Sequence, residues 1–309
     1  MSASLAHALR LARPPFESWS TWWTALSTTV VSESGSIPPG LLAGMLCHDA
    51  EQAFMAGYQL ALAELVGGAP GHLRAFAVSE GAGRTLRDMR THLSRSAGGA
   101  DWVLTGHKEF VTLPEAIEEC LVLATSAPEE TGQSSVVVKL NHAQVVRSLT
   151  VSGLQPAGMT QVTFGKMTFS ELPIHKNAVL KGDGHEDYSK RFRWLEDHLV
   201  LQALQGRLIR LVLLEDGVAT TDQARRDVER LLALAAALQS QIRQIRVGNL
   251  EALVFAGVRD QMLALFTDWV ASGSEALKAE LLVMQGLLSI AAQAQAKRLE
   301  KAWQQTLDG

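Results

Sequence analysis

A carboxylate set beside bulky apolar side chains can be desolvated, which raises its pKa. Glu196, directly after Trp194 and Leu195, is such a residue in this 309-residue sequence. A solvated helix carboxylate paired with Arg193 fits the same residues, so both readings stay open. Other constellations fall short. Cys47-His48-Asp49 puts nucleophile, base and acid in a row, but neighbours in a helix point about 100° apart and cannot pair. His107, His175, His185 and His198 are scattered and form no His-Glu-x-x-His or Cys/His set, so no metal is expected. Gly81-Ala82-Gly83 follows a strand, yet Leu86 stands where a dinucleotide fingerprint needs its third glycine. The segment TVSGL is not the G-x-S-x-G of a serine hydrolase.

The elements around these residues alternate in type along the chain. Arg74–Ser79 and Asp101–Thr112 read as strands, rich in Val, Trp, Leu and Phe, and an Arg-rich stretch punctuated by glycines joins them. Glu119–Thr125, Ser134–Leu140, Gln144–Ser152 and Val162–Phe169 add further short strands. Closely spaced strands without helices between them predict a small antiparallel barrel or sandwich. Ahead of them, Trp19, Trp22 and Trp23 fall at helical spacing and predict a packing face. Pro38-Pro39 suits a helix start, and Leu41–Val66 reads as one helix stopped by Gly67-Gly68. Beyond Lys181–Gly184 the chain reads as helical. It has a first segment at Arg191–Leu214, capping boxes at Thr220-x-x-Gln223 and Ser272-x-x-Glu275, and a periodic run at Leu250–Val270. The expected fold class is α+β, with an N-terminal helical domain over 1–72, a β domain over 73–183 and an up-down helical bundle over 184–309.

Composition bounds the function. Hydrophobic residues make up 47% and charged residues 19%, which is globular and not disordered. A net charge of −4 argues against a nucleic-acid partner. Cys47 and Cys120 form no disulfide framework, which suits a reducing cytoplasm. The start, MSASLAHALRLARPPF, does not read as a signal peptide, and no apolar run is long enough to span a bilayer.

FAVSE followed by GAG, then WVLTGHKEFVT, resembles the flavin-contacting middle domain of acyl-CoA dehydrogenases. Those proteins carry an aromatic-x-V-T-E-x-x-AG-S-D run and then W/Y-x-(I/L)-x-G-x-K-x-(W/F)-I-T. Met167–Asp183 is similar to the family's exit from that domain, and LCHDAEQAFMAGYQLALAELVGG to the helix before it, so the resemblance spans roughly residues 40–210. It implies FAD, with Phe76, Val78 and Ser79 on one flavin-contacting strand and Phe110, Val111 and Thr112 on another. Hydroxyl and backbone donors there would bind the flavin edge beside an aromatic wall. The implied reaction removes a proton α to a thioester carbonyl while hydride leaves the β-carbon. Glu196 then stands at the base position of a minority of the family.

The resemblance also marks departures. Arg84 and Thr85 stand where the family has the substrate-facing Ser and Asp. Asp197 replaces the Arg that meets the CoA phosphate, with His198 as a partial substitute. The R-x-x-F-G and late G-G-x-G segments, which in the family hold FAD from a partner subunit, are not found. The expected ligand is acyl-CoA or another acyl thioester, and the expected assembly a homo-oligomer. The alternative is a non-catalytic homologue that serves as a binding or partner subunit; a flavin-dependent oxygenase is a third reading.

Overall fold

The structure, a computed structural model, describes residues 3–67, 71–81, 88–96, 102–155, 159–215, 221–244, 249–290 and 292–307. It opens with helices α1 (Ala3–Arg10), α2 (Trp19–Glu33), α3 (Pro39–Met45) and α4 (Ala50–Val66). The single helix expected over Leu41–Val66 is therefore two. The Asp49 side chain accepts the Gln52 amide at 2.8 Å, and the Gln52 side chain accepts the His48 amide at 3.0 Å. That reciprocal cap starts a new helix inside an otherwise continuous apolar run.

Contacts divide the chain into two compact units. The first holds Ser18–Thr24 and Leu62–Arg193. Its strands are β1 (Arg74–Ala77), β2 (His92–Arg95), β3 (Trp102–Thr112), β4 (Glu119–Ser126), β5 (Ser135–Asn141), β6 (Leu149–Leu154) and β7 (Phe164–Ile174). Short helices α5 (Pro128–Thr131) and α6 (His142–Ser148) lie between them in sequence. The strands join in one mixed sheet of order β1-β4-β2-β3-β7-β6, with β5 on the other edge of β4. The antiparallel expectation is corrected here, because β1 and β2 both run parallel to β4. Consecutive short strands need not pair with each other. β1 skips two of them to reach β4, and that long return permits a parallel register.

Cys120–Ala124 in β4 is buried throughout, which explains an apolar run without alternation. Burial of Leu121, Val122 and Leu123 contributes roughly 1.5–3 kcal/mol each. The strand expected at Gln144–Ser152 is half helix: Asn141 and Gln144 form a capping box that opens α6, and β6 begins only at Leu149. In the same unit Trp22 and Trp23 are buried, and Trp23 Nε1 donates to His72 O at 3.2 Å.

The second unit holds α1, α3, the adjoining parts of α2 and α4, and the C-terminal helices. These are α7 (Arg191–Arg210, in this unit from Trp194), α8 (Asp222–Gln244), α9 (Asn249–Ser272), α10 (Glu275–Ile290) and α11 (Ala292–Leu307). Thr221 Oγ1 caps α8 through the Ala224 amide at 3.1 Å, while the expected cap Thr220 lies outside the described residues. At α10 the capping oxygen belongs to Ser274 and not to Ser272, which still ends α9. Polar ties cross the helices. Arg207 on α7 meets Glu280 on α10 at 2.9 Å, and Trp269 Nε1 on α9 donates to Asp227 on α8 at 3.0 Å. None of the described helices is long and apolar enough to cross a membrane.

Helices α3 and α7 touch backbone to backbone. A Cβ on Gly44 would lie 1.8 Å from the Ala203 carbonyl oxygen, and one on Gly206 would lie 2.0 Å from that of Leu41. Gly44→Ala is therefore expected to destabilise the protein by at least about 1–3 kcal/mol. Gly257→Ala, with nothing near its would-be Cβ, is expected to stabilise α9 by roughly 0.5–1 kcal/mol. Urea unfolding of the two variants checks the contrast.

Candidate functional site

The chemistry-bearing part of the sheet is built by an irregularity in β3. Against β7, Lys108 pairs with Met167 and Val111 with Gly165, so Glu109 and Phe110 together face the single residue Lys166. This is a β-bulge, a device that re-aims side chains. Alternation from the buried Lys108 would turn residue 110 inward. Instead Phe110 adopts φ 59° and leaves its ring 56% exposed, while Val111 and Thr112 point into the core. A left-handed phenylalanine stores about 1–3 kcal/mol of strain. Backbone strain of this kind clusters at functional sites.

The chain leaving β1 is fastened to the same stretch. Ser79 O accepts the Glu109 amide at 2.8 Å, which brings half-buried Ser79 to the residue before Phe110. Lys108 Nζ donates to Val78 O at 3.1 Å and to Glu80 Oε1 at 3.0 Å. Glu80 also accepts the amides of Arg90 at 2.7 Å and Thr91 at 2.9 Å. Nε2 of His107 donates to Glu80 O at 3.3 Å, and the Thr91 hydroxyl donates to His107 O at 2.8 Å. The Lys108 side chain is fully buried and that of Glu80 nearly so.

Burial works against the Glu80 charge, yet the hydrogen bonds from Thr91, Arg90 and Lys108 outweigh it and hold the carboxyl down to about 2. Burial brings the Lys108 ammonium down to about 8, with Glu80 opposing the fall. Both groups are ionised at neutral pH. A carboxyl lowered on folding contributes stability above its ordinary pKa, which is lost as pH falls through the folded value. Glu80 alone is thus expected to remove roughly 3 kcal/mol between about pH 4.5 and pH 2. Thermal unfolding across that window should show a shallower loss in Glu80→Gln than in the wild type.

The expected flavin-side residues divide sharply. Ser79 and Phe110 reach the surface, and Val78 is half-buried. Phe76 is buried with its ring edge-on to Phe192 at 5.4 Å. Val111 and Thr112 are buried opposite Gly165 and Phe164. Arg84 and Thr85 lie outside the described residues.

On α7, Glu196 is half-buried, one helical turn beyond Phe192 and on the same face. Asp197 ties helices together. It accepts from Gln295 at 2.9 Å and pairs with Arg298, both on α11, and Gln295 in turn accepts from Arg259 of α9 at 2.7 Å. His198 is buried between Trp194 and Phe255, with its ring nitrogens each 2.7 Å from an oxygen, Trp194 O and Gln241 Oε1. Burial lowers its pKa, although both hydrogen bonds oppose the change. Cys47 is buried and its thiol donates to Ala43 O at 3.1 Å; burial, with Asp49 adding, pushes that thiol up. Among the described residues no group of three or more His, Cys, Asp or Glu could hold a metal ion.

Glu80 and Lys108 carried no role in the sequence reading. The signal was present: Leu104, Gly106 and Lys108 share one face of β3, so a lysine was aimed inward and needed an anion.

A mixed sheet between helical segments recurs in solved structures. The prolyl acyl carrier protein oxidase AnaB aligns with a TM-score of 0.64 at 12% identity, over 92% of this chain and 90% of that one. FkbI, for biosynthesis of the methoxymalonyl extender unit of the Fk520 polyketide, gives 0.66 at 14% identity, over 88% and 84%. PigA in its FAD complex gives 0.61 at 15% identity, over 99% and 89%. The chain has the acyl-CoA dehydrogenase fold. No family model and no curated protein matches the sequence, so the likeness is carried by the arrangement of elements. In this chain a buried ion pair lies beside the β3 bulge, and α7 carries Glu196.

Proposed function

We propose that the chain is an acyl-CoA dehydrogenase-like flavoprotein that oxidises an acyl thioester at Cα–Cβ. The observation that supports this most is the β3 bulge, which leaves Phe110 exposed next to Glu109, whose amide donates to Ser79 O. Those groups suit a flat ring with a polar edge: Phe110 offers an apolar wall, and Ser79 a half-buried hydroxyl. PigA, one of the structural neighbours, is known in an FAD complex. FAD, when bound, supplies the hydride acceptor. In this reading Glu196 removes the proton from Cα of the thioester, and the electron pair so released forms the Cα–Cβ double bond as hydride leaves Cβ. Ser79 and Phe110 hold the acceptor in place, and the active form is a homo-oligomer.

In this reading His198, whose ring nitrogens are both engaged inside the helical unit, takes no part in substrate contact. That engagement also favours a second reading, a non-catalytic partner subunit on the same scaffold. Turnover separates the two. With FAD and an artificial electron acceptor, a panel of acyl thioesters is expected to include one that is oxidised; a flavin-loaded chain that oxidises none would leave the partner-subunit reading.

A further inference from the structure

The two segments that bear Ser79 and Phe110 are not joined by an ordinary ladder. β1 ends at Ala77, yet each of the next three residues is held by His107, Lys108 or Glu109. The bond between Ser79 and Glu109 is backbone to backbone. Elsewhere a lysine side chain takes the place of a rung, reaching Val78 O and Glu80 together. Glu80 then gathers the Arg90 and Thr91 amides, and Thr91 O accepts the Thr125 amide of β4 at 2.9 Å. The pair thereby links the bulge through Thr91 to β4, which pairs with β1, β2 and β5.

A buried ion pair is weak evidence for stability, since apolar replacements often do as well, but it can fix one arrangement against its alternatives. Here the alternative is a plain β3 without a bulge, which would turn Phe110 inward and release Ser79. We propose that Glu80 and Lys108 are positioning residues which hold the bulge, and through it Ser79 and Phe110, in the geometry that receives flavin. This rests on the flavin reading above.

The test uses the full chain as wild type and as the charge-free double variant Glu80→Gln/Lys108→Met. Apo thermal unfolding is measured first, then FAD affinity and the absorbance spectrum of the bound flavin. Misplacing the seat is expected to weaken FAD binding roughly tenfold or more and to shift the long-wavelength band. A purely structural pair would change the unfolding temperature and leave affinity and spectrum alone. A double variant that binds FAD within about twofold of the wild type, with a superimposable spectrum, overturns the proposal. A wild-type chain that takes up no FAD overturns the functional reading and the proposal with it.

Should the double variant not fold, Thr91→Val removes the hydroxyl that donates to His107 O and lies within reach of Glu80, and keeps both charges. Weaker FAD binding and a shifted band in that variant sustain the proposal. Wild-type affinity and spectrum sink it.

Discussion

In Glu196→Gln, oxidation of an acyl thioester is expected to fall roughly a hundred- to ten-thousandfold, the range general-base removal commonly gives. Glutamine keeps the shape and hydrogen-bonding reach of the side chain but cannot take a proton at neutral pH. The loss should therefore appear in kcat, with KM nearly unchanged, because ground-state binding is not the function removed. Flavin affinity and Tm should also stay put, since Glu196 is half-buried on α7 and the replacement is isosteric. Steady-state kinetics beside a melting curve decide it. Full activity in the variant would return Glu196 to the solvated reading left open by its sequence.

Lys108→Met alone is expected to cost about 3–5 kcal/mol, because it strands the buried Glu80 carboxylate. Two amides, from Arg90 and Thr91, would still reach that carboxylate, but its ammonium partner would be gone. Removing the second charge as well should recover most of the loss, since the pair's net contribution is small. Urea unfolding of the single and double variants forms a cycle that reads this coupling. If the double variant is as unstable as Lys108→Met, the cost comes from packing around the lysine stem and not from an unpaired charge.

Much of the fold was legible where one physical signal acted alone. β3 and β4 fall within a residue of their expected bounds, because their apolar runs are long and flanked by turn residues. α9 was visible from its periodicity. Errors arose where two local signals competed. Val145 and Val146 suggested a strand, but the Asn141–Gln144 capping box won and made α6. The Asp49–Gln52 cap likewise cut one apolar stretch into α3 and α4. The parallel pairing of β1 with β4 was not legible, because it depends on a contact far along the chain.

The candidate site divides in the same way. Sequence pattern pointed to Ser79 and Phe110, but not to which neighbours would remain exposed beside them. That depends on the bulge, whose register is set against β7 and not by β3 alone. Thr112, two residues on, is buried for the same reason.

The surface that bears Ser79 and Phe110 is the proposed flavin seat. Titrating FAD with the full chain while following flavin fluorescence, in wild type and in Phe110→Ala, tests it most directly. Saturable binding by the wild type and clearly weaker binding by Phe110→Ala at unchanged Tm are expected, since the lost side chain is mostly exposed. Binding of equal strength in both proteins, or no binding in either, would contradict it.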